Sequence, residues 1–131
     1  MKYASIASHE IRRAEIPFGG KSFPGYLHLP EKRPEGKIPC ILTIGGMDTF
    51  KEMMHSMYGD DFLKRGLASF AVDGPGQGEC CIRHIHIAGT NFMDAGCAAL
   101  EWMRSQPETD PDRIAVFGVS FGSLPCRCRR G

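Results

Sequence analysis

Ile114-Ala-Val-Phe-Gly-Val-Ser-Phe-Gly122 is a short apolar run that ends in a Gly-x-Ser-x-Gly turn. An apolar run of this length bounded by glycine reads as a strand covered on both faces. Two earlier stretches have the same form. Ile38–Ile44 ends in Gly45-Gly46, and Ala68–Val72 ends in Asp73-Gly-Pro-Gly-Gln-Gly78. Helical patterns lie between these strands. Thr49-Phe-Lys-Glu52 fits a capping box and predicts a helix through Met53, Met54 and Met57. That helix should falter near Gly59, resume over Asp60–Arg65 and stop at Gly66. Thr90 and Asp94 flank the start of a second helix, in which Phe92, Ala95, Ala99, Leu100 and Met103 keep a helical period until Pro107. Asp110-Pro-Asp-Arg113 then reads as a turn before the strand Ile114–Phe117. Strand, helix, strand, helix, strand implies right-handed βαβ units, a parallel sheet and helices on both faces: an α/β, three-layer architecture.

The chain before Ile38 reads differently. Glu10–Pro17 alternates apolar and polar residues, Phe18–Lys21 turns, and Phe23–Leu29 forms a second strand closed by Pro30. This predicts an antiparallel hairpin ahead of the parallel units, followed by a charged, Pro-rich surface loop over Pro30–Gly36.

The 131 residues bound a single domain, with 42% hydrophobic and 24% charged residues, an ordinary globular balance. The net charge of +1 carries no global signal for nucleic acid or an acidic membrane surface. Of the 16 basic residues, Arg127, Arg129 and Arg130 fall in the last five positions, so the body is slightly acidic and the tail basic. Cys40, Cys80, Cys81, Cys97, Cys126 and Cys128 fall below the roughly 8–10% that marks a disulfide scaffold, and no C-x-x-C pair suggests zinc. The first residues lack the apolar core of a secretory signal, and no run approaches the ~18 residues of a membrane span. These features predict a cytoplasmic protein with free thiols, no membrane or nucleic-acid partner, no metal and no cofactor; homo-oligomerisation stays open.

Gly118-Val-Ser-Phe-Gly122 after a buried strand has the form of a nucleophile elbow. The tight turn pushes the Ser120 hydroxyl out at the carboxyl end of the sheet, and Gly118 and Gly122 leave room for neighbouring backbone. The N-terminus of the next helix lets the Phe121 N–H bind a developing oxyanion. A second donor belongs on the loop after an earlier strand; Met47 N–H is the candidate, with Gly46 behind it. The Asp73–Glu79 stretch reads as a structural turn near the mouth of the site, since no phosphate-loop pattern is present. His84 and His86 alternate with Ile82, Ile85 and Ile87, which suggests the exposed face of a short extended segment rather than a base or metal pair. His55 reads as a helix-surface residue, and Met53, Met54 and Met57 as core or pocket lining.

Pro24-Gly-Tyr-Leu-His-Leu-Pro30, Gly45-Gly-Met-Asp48, Asp73-Gly-Pro-Gly-Gln-Gly-Glu79 and Gly118-Val-Ser-Phe-Gly122, in this order, resemble the α/β-hydrolase superfamily. The resemblance covers about residues 10–124. It points to the branch of 2,6-dihydropseudooxynicotine hydrolase, the fungal hydrolases that shorten polyketide pigments and FrsA-type esterases. It implies a serine hydrolase acting on an ester, or on a carbon–carbon bond next to a carbonyl, of a small-molecule ester or ketone substrate.

A triad in this fold runs Ser, then Asp or Glu, then His. Residues 121–131 contain no Asp, Glu or His. Pro125 also falls in the second turn of the helix expected after Ser120, where it removes a hydrogen bond. The expectation is therefore a partial α/β-hydrolase domain over 1–124, a tail of different character over 125–131, and a chain truncated before its acid and base. The alternative is a non-catalytic remnant or interaction module that keeps part of the fold.

Overall fold

The computed structural model describes residues 7–127. Strands β1 (Ile11–Phe18) and β2 (Lys21–His28) form the antiparallel hairpin, with Phe18 opposite Lys21. Strands β3 (Ile38–Ile44), β4 (Ala68–Val72) and β5 (Thr109–Gly118) complete a five-stranded sheet in the order β1-β2-β4-β3-β5. The β3/β4 and β3/β5 pairs are parallel, and β2/β4 is antiparallel. This is a partial α/β-hydrolase fold.

Both faces of the sheet are covered, which explains why all five residues of β4 are buried. On one face Phe70 stacks on Trp102 of the long helix Asn91–Arg104, with ring centroids 4.7 Å apart. On the other, Phe117 of β5 meets Tyr58 and Phe62 at 4.9 and 5.9 Å. Those two rings come from a helical segment built of α1 (Lys51–Met54), a π-turn (His55–Gly59) and α2 (Asp60–Lys64). A short helix α3 (Gly78–Ile82) follows β4, and the long helix is α4.

Four differences from the sequence reading have physical causes. Thr49 does not cap α1: its hydroxyl donates to the Gly46 carbonyl at 2.7 Å, and the Lys51 N–H is taken instead by Asp73 Oδ1 at 2.8 Å. The helix does not falter at Gly59 but widens into the π-turn. A methyl group on Gly59 would collide with the imidazole of His55, so the glycine makes room for that ring. Segment 82–87 is not extended. Asp73 Oδ2 accepts the Glu79 N–H at 3.1 Å, which helps start α3, and His84 turns the chain with φ +56°. Asp110–Arg113 does turn, but as an irregularity within β5, with Asp110 accepting from the Asp112 N–H and the Arg113 side chain.

Among the cysteines, Cys40, Cys80 and Cys81 are free, but Cys97 is disulfide-bonded, against the expectation of free thiols. Residue spacing alone does not reveal which side chains the fold brings to bonding distance. Burial pushes the Cys40 and Cys80 thiols up to about 12. Strand β5 is half-exposed because it pairs only with β3 among the described residues. No described helix is long and apolar enough to cross a membrane.

Candidate active site

Strands β3 and β5 end together, with Ile44 opposite Gly118. The Val119 N–H donates to Ile44 O at 3.1 Å, one step beyond the strand, and then the chain reverses. Ser120 sits at the reversal with φ +53°. A non-glycine residue in this region carries backbone strain of about 1–3 kcal/mol, held by the surrounding structure. The Gly122 N–H closes the turn on Val119 O at 2.9 Å, and the Ser123 hydroxyl donates to Ser120 O at 2.7 Å.

The two flanking glycines are dictated by contact. A methyl group on Gly118 would lie 2.6 Å from Ser123 Cα, and one on Gly122 would lie 2.7 Å from the carbonyl carbon of Ile44. The sharp turn packs backbone on backbone with no space for Cβ. Ser120 itself is exposed. After it the backbone runs as a 3₁₀ helix over Ser120–Arg127 rather than an α-helix. Pro125, which has no N–H to donate to an α-helical ladder, stands within it. The Phe121 ring packs against Phe92 of α4, centroids 4.7 Å apart, and so anchors the elbow to the helix beneath it. Residues 128–131, with most of the basic tail, lie outside the described residues.

The loop after β3 comes to the same place. A methyl group on Gly46 would lie 3.4 Å from Ser120 Cβ and 3.8 Å from its Oγ. Gly118, Ser120, Phe121, Gly122 and Gly46 are therefore one cluster at the carboxyl end of the parallel strands. Met47 stands at its rim with 60% of its surface exposed.

The Asp73–Gly78 turn lies beneath this loop and does more than turn. Gln77 is buried, and its Nε2 donates to Gly45 O at 2.8 Å and to Gly46 O at 2.5 Å, while its Oε1 accepts the Gly74 N–H at 2.8 Å. Asp73 is buried and accepts from the Lys51 ammonium at 2.8 Å, besides the two backbone N–H groups named above. Lys51 also reaches Glu79 at 2.8 Å, and Arg13 closes the network on Glu79 at 2.6 Å. Burial pulls the Lys51 ammonium down, but its hydrogen bonds to Asp73 and Glu79 outweigh this and hold it above its ordinary value. Hydrogen bonding to Arg13, then to Lys51, brings the Glu79 carboxyl down to about 2. Sequence reasoning assigns no role to Gln77 or Lys51: a lysine reads as surface, and Gln77 is marked only by its place in the glycine-dense motif Asp73–Glu79.

The histidines do not join the cluster. His84 and His86 are exposed on the loop after α3. His55 is not a surface residue: it is buried, and its ring stacks on that of His28 at 3.5 Å and 2°. His28 pairs with Ser69 at the start of β4, at the end of the sheet opposite Ser120. His9 Nε2 lies 2.9 Å from His28 Nδ1. Ligand atoms of these three rings fall within 4.8 Å of one another. Imidazole binds a metal along its in-plane lone pair at about 2.0–2.1 Å. A cation between the parallel rings of His28 and His55 would sit well off both planes, so this arrangement does not fit one.

The order of the sheet and the strained serine at the end of β5 define a member of the α/β-hydrolase superfamily. Within it, the model of the FrsA-like esterase family ("Esterase FrsA-like") matches residues 2–127, and the chain belongs to that family. It is 34% identical to the hydrolase LUC6 of a Fusarium species over 86% of this chain and 28% of the relative. It is 27% identical to the esterase FrsA of Photobacterium profundum over 91% of this chain and 27% of that enzyme. A crystal structure of 2,6-dihydroxy-pseudo-oxynicotine hydrolase superposes with a TM-score of 0.81 at 28% identity, over 93% of this chain and 33% of that one. The chain thus spans about three tenths of the length of these relatives.

Proposed function

We propose that this chain carries the nucleophile and oxyanion half of a serine hydrolase. Ser120 Oγ attacks the carbonyl carbon of an ester, or of a ketone whose neighbouring carbon–carbon bond is to be cleaved. The Phe121 and Met47 N–H groups hold the oxygen that becomes negative. The serine proton passes to a base, and collapse of the tetrahedral adduct expels an alcohol or a carbon leaving group that takes the proton back; water then releases the acyl group. The observation that carries this reading is Ser120 at φ +53° between two glycines that admit no Cβ, with Gly46 across from it. Such strain at a solvent-facing nucleophile is a feature of function rather than of packing.

The acid and base are proposed to come from polypeptide beyond this sequence. A catalytic serine without its base loses on the order of 10⁶ in kcat. The 131 residues alone should therefore fail to react with a fluorophosphonate probe, whereas a polypeptide that continues through an acid and a histidine should label at Ser120 and lose labelling in Ser120→Ala. The nucleotide sequence beyond the Ser120 codon, read in all frames, decides between the two readings. An onward frame supplying Asp or Glu and then His supports the hydrolase. Closure of every frame without them supports a non-catalytic remnant.

A further inference from the structure

Gln77 has no place in the reaction as described, yet it is buried and uses both ends of its amide on backbone. Two of its three partners are the carbonyls of Gly45 and Gly46, the peptides that lead into Met47. Every peptide bond among the described residues is trans. In a trans peptide the C=O of one residue and the N–H of the next point in opposite directions. Drawing Gly46 O down onto Gln77 therefore turns the Met47 N–H away from the interior, and drawing Gly45 O down does the same for the Gly46 N–H. Gly46 O is held further by the Thr49 hydroxyl and by the Thr49 N–H at 3.2 Å. Gly46 in turn lies against Ser120.

Gln77 is itself held from behind. Its N–H donates to Gly74 O at 3.0 Å, and the Gly76 N–H donates to Ile85 O at 2.8 Å. Gly74 packs under the ring of Phe92, where a methyl group would lie 2.8 Å from Cε2, and Phe92 is the residue that supports Phe121. One packed unit thus sets both candidate donors: Phe92 through the Phe121 side chain, and Gln77 through the Gly45 and Gly46 carbonyls.

We propose that Gln77 is a positioning residue that clamps the Gly45–Gly46–Met47 peptides so that the Met47 N–H faces the oxygen developing on a carbonyl attacked by Ser120. The proposal deepens the serine-hydrolase reading and rests on it for its catalytic half, while the clamp itself is a property of this chain. Gln77→Met keeps the volume and removes the donor. Gln77→Glu keeps the acceptor for the Gly74 N–H but sets a carboxylate against two carbonyls.

Two measurements test it. In the 131-residue chain, hydrogen exchange of the Thr49 amide, which donates to the Gly46 carbonyl that Gln77 holds, should accelerate roughly tenfold or more in Gln77→Met while 40–44 stays as protected as before. Equal exchange of Thr49 in both proteins, or no protection of Thr49 in the unaltered chain, overturns the clamp. In the longer polypeptide with its acid and base, hydrolysis of a p-nitrophenyl ester should lose about 10–100-fold in kcat in both variants, with KM within about twofold, since a misaimed oxyanion donor costs less than the 10²–10³ of a deleted one. Binding of a boronic acid that mimics the tetrahedral adduct should weaken in parallel. A rise in KM with kcat unchanged, or no change in either, overturns the catalytic role. If Ser120 of that polypeptide does not label with a fluorophosphonate, the hydrolase reading and the catalytic role fall together, and the exchange result still judges the clamp.

Discussion

Lys51 and His55 stand about one helical turn apart, and both are buried, one among carboxylates and the other among histidines. Lys51 keeps its charge because Asp73, Glu79 and Glu52 surround the ammonium. His55 and His28 are held neutral: burial, then the neighbouring histidines, pushes His28 down to about 2, and burial with His9 lowers His55 against the opposing pull of Asp60. The same cost of desolvation is thus met by complementary charge in one cluster and by shedding charge in the other. The first lies under the loop that reaches Ser120 and ties two helix starts to one carboxylate. The second fills the far end of the sheet. A charged cluster with every partner in place is rigid but intolerant of deletion; a neutral ring stack tolerates substitution but not acid.

Removing Lys51 should have the largest effect. Lys51→Met strands the Asp73 carboxylate in the interior, and breaking a buried pair from one side costs about 3–5 kcal/mol. Urea denaturation at neutral pH checks this, and a loss below about 1 kcal/mol would break the comparison. Acid should act first on the histidines. The unfolded chain takes up protons at His28 below about pH 6.5, while the folded state does not. The unfolded state then binds more protons, so stability is complete above that pH and falls as pH drops toward about 2. The loss from His28 should be about 1.4 kcal/mol at pH 5.5 relative to neutral pH. His9, His55 and Tyr26 face this ring, and His28→Phe should flatten the thermal-melt dependence between pH 7.5 and 5.5; an unchanged slope would assign it elsewhere. The carboxylates respond later. Glu79 is held at about 2 chiefly by Arg13, and Glu15 at about 2 chiefly by Arg83, so their contributions are present above about pH 4.5 and vanish only as pH falls toward 2. The smallest effect belongs to the half-exposed outer pairs: Arg83→Ala should cost about 0.2–1 kcal/mol and less in high salt, read from denaturation at two ionic strengths.

Much of this was legible before the structure. The apolar runs Ile38–Ile44 and Ala68–Val72 coincide with β3 and β4, because strands buried on both faces have little freedom in composition. The tight turn at Ser120 could be read from Gly118 and Gly122, since the backbone contacts that forbid Cβ there act on residue identity directly. The capping box could not be trusted, because Thr49 had a nearer acceptor in Gly46 and the Lys51 N–H a charged one in Asp73. A surface position for His55 does not hold because a π-turn shifts the helical period that assigns faces, and because its partner His28 arrives from another strand.

By itself, the sequence determined the buried strands β3 and β4, the hairpin ahead of them and the tight glycine-flanked turn at Ser120, all consequences of local sterics and of patterned burial. Only the tertiary structure decided which buried polar groups find partners. Gln77 on the Gly45 and Gly46 carbonyls, Lys51 on Asp73 and His55 on His28 join residues far apart in the chain, and their energies depend on distance and exclusion of water, quantities that exist only once the sheet has assembled.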